Sequence, residues 1–454
     1  MDNALSSLVG EEIEGKHNWC GTLAAPNGSL YGVPCNARQV AKFNPVDESF
    51  THIGPDFGND KHKWYKGAMT SNGIIYCPPC DIEHGILKID TNTDNVTELN
   101  RDLLPERGEC MWDSCALALD ECIYFMPRDA RGIMKLDPNN NDAMSSVRHD
   151  FGHGSYRYNG TVGIDGCVYG IPFGPGRIVK YDPINNTTSF VGEKVKLCTT
   201  RGCAVGRDGC IYKIDIETNS SLHRLRVLKI DTTNNVHWFV GNSVESDHYD
   251  QGWGDAILGI DGCIYWPPDK AHRILKYDPH TNKASLEGDD FGDFGYEESY
   301  KWNKWRNGAS AADGVIYCLP LAANQVLSID PFKEFSMNVR NNMNGHLEPL
   351  SFLFQIKEPD TASNQTYFDC AVAKFGMDRV LEVLEEHMPL ADRVCSLSNL
   401  YPFMIAASYE KSALSLIYYL LRQYPSLLNQ YCPYKEKNQK RILVGRESDT
   451  LEIK

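Results

Sequence analysis

One recurring tyrosine constrains this chain most. Tyr31, Tyr76, Tyr124, Tyr169, Tyr212, Tyr265 and Tyr317 stand in similar contexts, at successive spacings of 45, 48, 45, 43, 53 and 52 residues. Seven copies at such a period define a repeat architecture, and the period is too long for the leucine-rich and shorter helical solenoids. The copy Asp261-Gly-Cys-Ile-Tyr-Trp-Pro-Pro-Asp-Lys-Ala-His-Arg-Ile-Leu-Lys-Tyr-Asp-Pro279 shows the pattern whole: a strand, a polar loop, a second strand, a turn.

Within each copy the signals are those of β-structure. Asn27-Gly28, Asn72-Gly73, Asp165-Gly166, Asp208-Gly209, Asp261-Gly262 and Asp313-Gly314 supply the positive φ angles that a two-residue hairpin requires. The third copy departs from this with Asp120-Glu121. The strand after the hairpin ends at proline, which cannot continue a ladder. A third strand of the Val40-Ala-Lys-Phe43 type closes on a turn-initiating pair such as Asn44-Pro45 or Asp182-Pro183. A fourth, such as Val236-His-Trp-Phe-Val240, completes the copy. Four antiparallel strands per copy, seven times over, predict an all-β seven-bladed β-propeller across residues 1–331.

Ring closure is legible too. Ser6-Ser-Leu-Val-Gly10 resembles the fourth strand Thr188-Ser-Phe-Val-Gly192, so residues 5–9 are expected to complete the last blade. Gly21, Gly67, Gly160, Gly202, Gly254 and Gly308 precede the hairpins on the innermost strands, where missing side chains let crowded backbones approach. The third copy has Asp113-Ser114 instead, which points either to a carboxylate near the channel or to a surface aspartate.

Beyond Pro331 the texture changes. Residues 332–361 have no clean period and read as a linker. Residues 362–433 carry apolar side chains at helical spacing, as in Met377-Asp-Arg-Val-Leu-Glu-Val-Leu-Glu-Glu-His387. The entry Leu400-Tyr-Pro-Phe-Met-Ile-Ala-Ala-Ser408 matches the proline and alanines of an ankyrin repeat but lacks its threonine and histidine. A small α-helical, ankyrin-like region is expected there, followed by a polar tail at 434–454. The whole resembles β-propeller proteins with ankyrin-like C-terminal helices, of a type found in algae and related protists. Residues 1–331 are also distantly similar to streptogramin lyase and NHL-type propellers, which share the Asp-Gly-hydrophobic-aromatic strand. The lyase likeness implies a histidine acid or base at the channel mouth, for which His62, His153 and His248 are candidates.

Composition bounds the function. With 45 Lys and Arg against 60 Asp and Glu, the net charge of −15 disfavours nucleic acid, whose backbone needs clustered cations. No apolar run reaches the ~20 residues of a membrane helix, and the N-terminus lacks a secretory pattern, so a cytoplasmic protein is expected. Of 16 cysteines, Cys122, Cys167, Cys210 and Cys263 hold one repeat position and read as small buried hydrophobes in separate blades. Cys77-Pro-Pro-Cys80 has metal spacing without a second pair to complete a site.

Chemistry is expected in the loops rather than the blades. Trp64, Tyr65, Tyr156, Tyr158, Trp302 and Trp305 follow loops of the Asp-Phe-Gly type, and with Trp253 of the equivalent loop they would ring the channel mouth, where aromatics suit a peptide or polar ligand. The competing reading has them seal neighbouring blades. Arg131, Arg177, His272 and Arg273, before the third strands, would add a basic rim. A serine nucleophile signature is absent from the sequence. The expected function is a non-catalytic protein-interaction module with a protein or peptide partner and no cofactor, metal or catalytic residue. The alternative is a lyase- or hydrolase-like enzyme at the channel mouth.

Overall fold

The computed structural model describes residues 5–13, 19–80, 83–99, 111–130, 132–147, 158–195, 202–219, 222–246, 252–259, 261–292, 303–311 and 313–331. The linker, the ankyrin-like region and the polar tail lie outside the described residues, as do Arg131, Tyr156 and Trp302. Within the described residues, 28 strands form seven four-stranded antiparallel sheets, so the propeller has seven blades. Six blades run in chain order from an innermost to an outermost strand, over residues 19–53, 68–98, 112–146, 158–195, 204–246 and 257–287. The seventh is composite. Ala309–Ser310, Ile316–Cys318 and Val326–Ile329 supply its inner three strands, and Ser6–Val9 supplies the outermost, with Ser6 opposite Ile329 and Val9 opposite Val326.

Turn chemistry explains the local structure. The hairpin glycines take positive φ, from 74° at Gly209 to 88° at Gly314. In the third blade Glu121 adopts the same region at 57°, and its carboxylate accepts a hydrogen bond of 2.7 Å from the Ser71 hydroxyl of the second blade. The departure from Asp-Gly thus leaves the turn intact. On the innermost strands, a Cβ on Gly254 would lie 2.2 Å from the Arg306 carbonyl oxygen of the next blade. Only glycine lets those two backbones meet.

The repeat tyrosines form the second structural device. Each is buried with its hydroxyl on an acidic side chain. Tyr124, Tyr169, Tyr212, Tyr265 and Tyr317 donate to the hairpin aspartate four residues earlier, at 2.7–2.9 Å. A third-strand lysine pairs with the same carboxylate: Lys135 with Asp120, Lys180 with Asp165 and Lys229 with Asp208, at 2.7–2.8 Å. Burial raises these aspartates, but the lysine and tyrosine hydrogen bonds outweigh it and hold Asp120, Asp165 and Asp208 below the usual carboxylate range.

The first two blades carry Asn27 and Asn72 at that hairpin position, and the carboxylate comes from the next blade instead. Tyr31 and Lys42 both reach Asp94 at 2.6 Å, and Tyr76 and Lys88 reach Asp142 at 2.5 and 2.6 Å. Asp94 and Asp142 sit at positive φ in the turn between third and fourth strands. For the hairpin aspartates Asp120, Asp165 and Asp208 the neighbouring turn has asparagine (Asn186, Asn235 and Asn282), as with Asp165 and Asn235 around Lys180. In the first five blades one of the two positions supplies the carboxylate and the other is asparagine.

Two outcomes are expected. Deleting residues 1–12 removes a full strand ladder and the burial of Leu5, on the order of 5 kcal/mol, and should lower the melting temperature by roughly 10 °C. Calorimetry of the truncated chain checks this. Asp165→Asn should destabilise by about 1–3 kcal/mol, and adding Asn235→Asp should recover most of the loss because the charge returns from the other side. Denaturant titration of both variants is the measurement, and a double variant no more stable than the single one would refute the exchange.

Candidate functional site

The head of each innermost strand positions the site. Trp19, Trp112 and Tyr158 open theirs opposite the prolines that end the second strands, Pro34, Pro127 and Pro172. Trp64, Trp253 and Trp305 make the equivalent bridges to Pro79, Pro268 and Pro320. Every one of these rings is at most 5% exposed. Trp64 packs with Tyr31 and Val40 of the first blade and Ile75 and Leu87 of the second, so it seals the seam between them. The indole N–H groups donate to backbone carbonyls just before the third strands: Trp64 to Gly85, Trp253 to Arg273 and Trp305 to Gln325, at 2.9–3.0 Å.

Side chains alternate along a strand, so a ring committed to the seam turns its successor elsewhere. Cys20 and Asp113 are additionally the extra residues of β-bulges after Trp19 and Trp112, which re-aim side chains and occur next to functional sites. Cys20, Tyr65, Asp113, Asn159 and Arg306, each immediately after its aromatic, all line one cavity of ≈ 210 Å³. A second set stands four residues after the repeat tyrosines. Of these, Cys35, Arg128, Phe173 and Leu321 line the same cavity. Asn36, His62, Lys66, Asp255, Asn303 and Ala322 complete its wall, so six of the seven blades contribute.

Three cations and two carboxylates face this space. The Lys66 ammonium pairs with Asp255 at 2.8 Å and donates to Asn159 at 3.2 Å. Burial opposes its charge, but the Asp255 carboxylate overrides that and holds the Lys66 pKa above the ordinary value. Lys213, behind this wall and fully buried, is pushed down to about 8 by burial. The Arg128 and Arg306 guanidiniums lie 5.9 and 6.0 Å from the Tyr65 ring centre, within cation–π range. Each also donates to a thiol at 3.4 Å, Arg128 to Cys80 and Arg306 to Cys20. Carboxylates stand at 3.8–3.9 Å from both, Asp129 and Asp113 from Arg128 and Asp269 from Arg306. The Tyr65 hydroxyl and His62 Nδ1 share a hydrogen bond of 2.7 Å, with the two rings stacked.

Of the residues the sequence singled out, Tyr65 lines the cavity. Trp64, Tyr158, Trp253 and Trp305 do not ring the mouth; they face the seams, for the reason given by alternation. Arg177 stacks on Phe190, 5.1 Å from its ring centre. His272 meets Asp290 at 3.3 Å, and Arg273 contributes its carbonyl to Trp253. None of the three reaches the cavity wall. Cys77 lies in the core between the first two blades while Cys80 meets Arg128, so the Cys-Pro-Pro-Cys pair is split between two environments. Among the described residues no group of three or more His, Cys, Asp or Glu is placed to hold a metal ion. Arg128, Arg306, Lys66 and Asp255 were missed by sequence reasoning. Their signal was positional: they follow the seam aromatic or the repeat tyrosine, at places where the copies differ most in chemistry.

No protein-family model and no curated protein sequence matches the chain. Solved structures do. A streptogramin B lyase is 14% identical, with a TM-score of 0.53 over 71% of this chain and 97% of its own. A virginiamycin B lyase from Staphylococcus aureus is 12% identical, with a TM-score of 0.54 over 71% and 98%. Hydrazine synthase of Kuenenia stuttgartiensis is 11% identical, at 0.51 over 71% and 97%. At these identities the likeness is one of fold, the seven-bladed propeller.

The close approach of Gly254 to Arg306 ties the cavity wall to strand packing. Gly254→Ala should cost about 1–3 kcal/mol through overpacking, measured by denaturant unfolding, whereas Gly174→Ala, with open space around it, should not.

Proposed function

We propose that the propeller is a non-catalytic, cytoplasmic binding module that receives an acidic group of a protein or peptide partner at its channel mouth. The observation that carries this reading is Arg306. Its guanidinium is buried in the wall, and its Nε has no hydrogen-bond acceptor within reach. A buried donor left unmatched is costly, and a carboxylate is its natural complement, since guanidinium–carboxylate bonds are charge-assisted and can be bidentate. Lys66 is already matched by Asp255 at 2.8 Å, whereas Arg306 Nε faces the Asp269 carboxylate at 3.8 Å, beyond hydrogen-bond reach, which leaves that donor beside Tyr65 open to a closer acceptor. An aromatic flanked by arginine is also the composition of an interface hot spot. The ankyrin-like tail is, on this reading, a second binding surface.

A second reading, an enzyme of lyase or hydrolase type at the same mouth, draws on the Tyr65–His62 hydrogen bond, a ready proton-transfer pair. One experiment separates the two. A peptide array with free and amidated C-termini and with acidic or neutral side chains is probed with the full chain. Selective retention of acidic peptides, recovered intact, is expected. Arg306→Gln should weaken that binding by about thirtyfold or more, some 2 kcal/mol. Equal retention of acidic and neutral peptides would refute the binding reading, and recovery of cleaved peptide would favour the enzyme.

A further inference from the structure

Two thiols in the cavity wall are not used by the binding role. Cys20 occupies the bulge after Trp19, and Cys35 follows Pro34, the residue opposite Trp19 on the next strand. The ladder therefore brings the two cysteines together, where they form a buried cluster with Leu321 beside Tyr65. Both face the cavity. From this juxtaposition we propose that Cys20 and Cys35 are a reactive dithiol: Cys20 reduces a small hydroperoxide entering the channel mouth, and Cys35 resolves the product as a disulfide.

The surroundings differentiate the two sulfurs. Arg306 Nη1 donates to Cys20 Sγ at 3.4 Å, and a guanidinium donor favours the thiolate, the nucleophilic form of cysteine. Cys35 is held as a thiol. Its hydrogen bond to Cys20, then burial, raise its pKa well above the ordinary value. One sulfur is thus set up to attack while the other keeps a proton to deliver. The repeat cysteines have the opposite setting. Cys122, Cys167 and Cys210 are buried in blade seams near hairpin aspartates, and burial followed by that negative charge pushes each up to about 11.

The chemistry balances. Cys20 sulfur attacks the terminal oxygen of a hydroperoxide ROOH, forming an S–O bond as the O–O bond breaks. Two electrons pass from sulfur to the departing alkoxide, which takes the Cys35 proton and leaves as ROH. Cys35 sulfur then attacks Cys20 Sγ, forms the S–S bond and expels hydroxide, which solvent protonates to water. The cavity of ≈ 210 Å³ suits hydrogen peroxide or a short alkyl hydroperoxide.

The test uses the full chain, fully reduced and then exposed to stoichiometric hydrogen peroxide before alkylation and peptide mapping. A Cys20–Cys35 crosslinked peptide should dominate, with the repeat cysteines still alkylated. Cys35→Ser should instead trap a sulfenic acid on Cys20 that a dimedone probe labels. Cys20→Ser should abolish both products, and Arg306→Gln should slow disulfide formation by at least about tenfold. Oxidation spread evenly over all cysteines, a dominant disulfide to Cys80, or undiminished peroxide consumption by Cys20→Ser would each overturn the proposal. Because mapping on the unaltered chain already distinguishes these outcomes, a variant that fails to fold does not decide the matter. Acidic-peptide binding is read separately on Cys20→Ser, which leaves both arginines in place.

Discussion

The site depends on a packing constraint that concerns the seams, not the channel. An indole or phenol at the head of an innermost strand is too large and too apolar to leave in water. It inserts between blades, and where it is an indole its one polar N–H is satisfied there by a backbone carbonyl. With that ring fixed, strand alternation leaves the next residue a single direction. The seal thereby creates a ring of side chains around the axis whose identities the fold does not dictate. Cys20, Tyr65, Asp113, Asn159 and Arg306 differ in size, charge and polarity, yet all occupy that one geometric slot.

A complementary logic governs the outer part of each blade. There the requirement is chemical and the source is free. A buried tyrosine hydroxyl and a third-strand lysine need one carboxylate between them, and it is furnished either by the blade's own hairpin or by its neighbour's turn. Burying an ion pair is worthwhile only when its remaining hydrogen-bonding capacity is met, and the tyrosine hydroxyl meets it. In the first two blades the shared charge also bonds one blade to the next, adding a polar clasp to a seam that is otherwise held by apolar contact.

Much of this was legible in the residues. The hairpins, the seven blades and the pairing of Ser6–Val9 with the last blade follow from local rules: positive φ at Asn-Gly or Asp-Gly, proline at a strand end, two-residue periodicity. Asp113 stood out because it breaks a run of glycines, but the residues left it open between a carboxylate near the channel and a surface aspartate, and it lines the cavity. The aromatic set was left between a ring at the mouth and a seal between blades because chemistry alone cannot say which face of a strand a tryptophan takes. A bulge at Cys20 or an interrupted ladder at Tyr65 shifts the facing by one residue, and nothing in the side chains announces it. Arg128 and Arg306 were obscured for a related reason: a repeat reveals itself through sameness, whereas these positions matter because they differ.

The composite seventh blade has a bearing on when the site exists. Arg306 belongs to the last blade and Cys20 to the first, and they meet only across the joint that the terminal strand closes. Contacts separated by nearly the whole propeller are the slowest to form, since the chain entropy of bringing them together is largest. A chain with six blades formed and the ring still open would hold every seam aromatic between blades two and six, yet it would have neither the arginine pair around Tyr65 nor the guanidinium on the Cys20 sulfur. Occupancy of the cavity is therefore a property of the finished circle, and any ligand that bridges Arg128 and Arg306 would act as a clamp favouring closure over breathing at the seam.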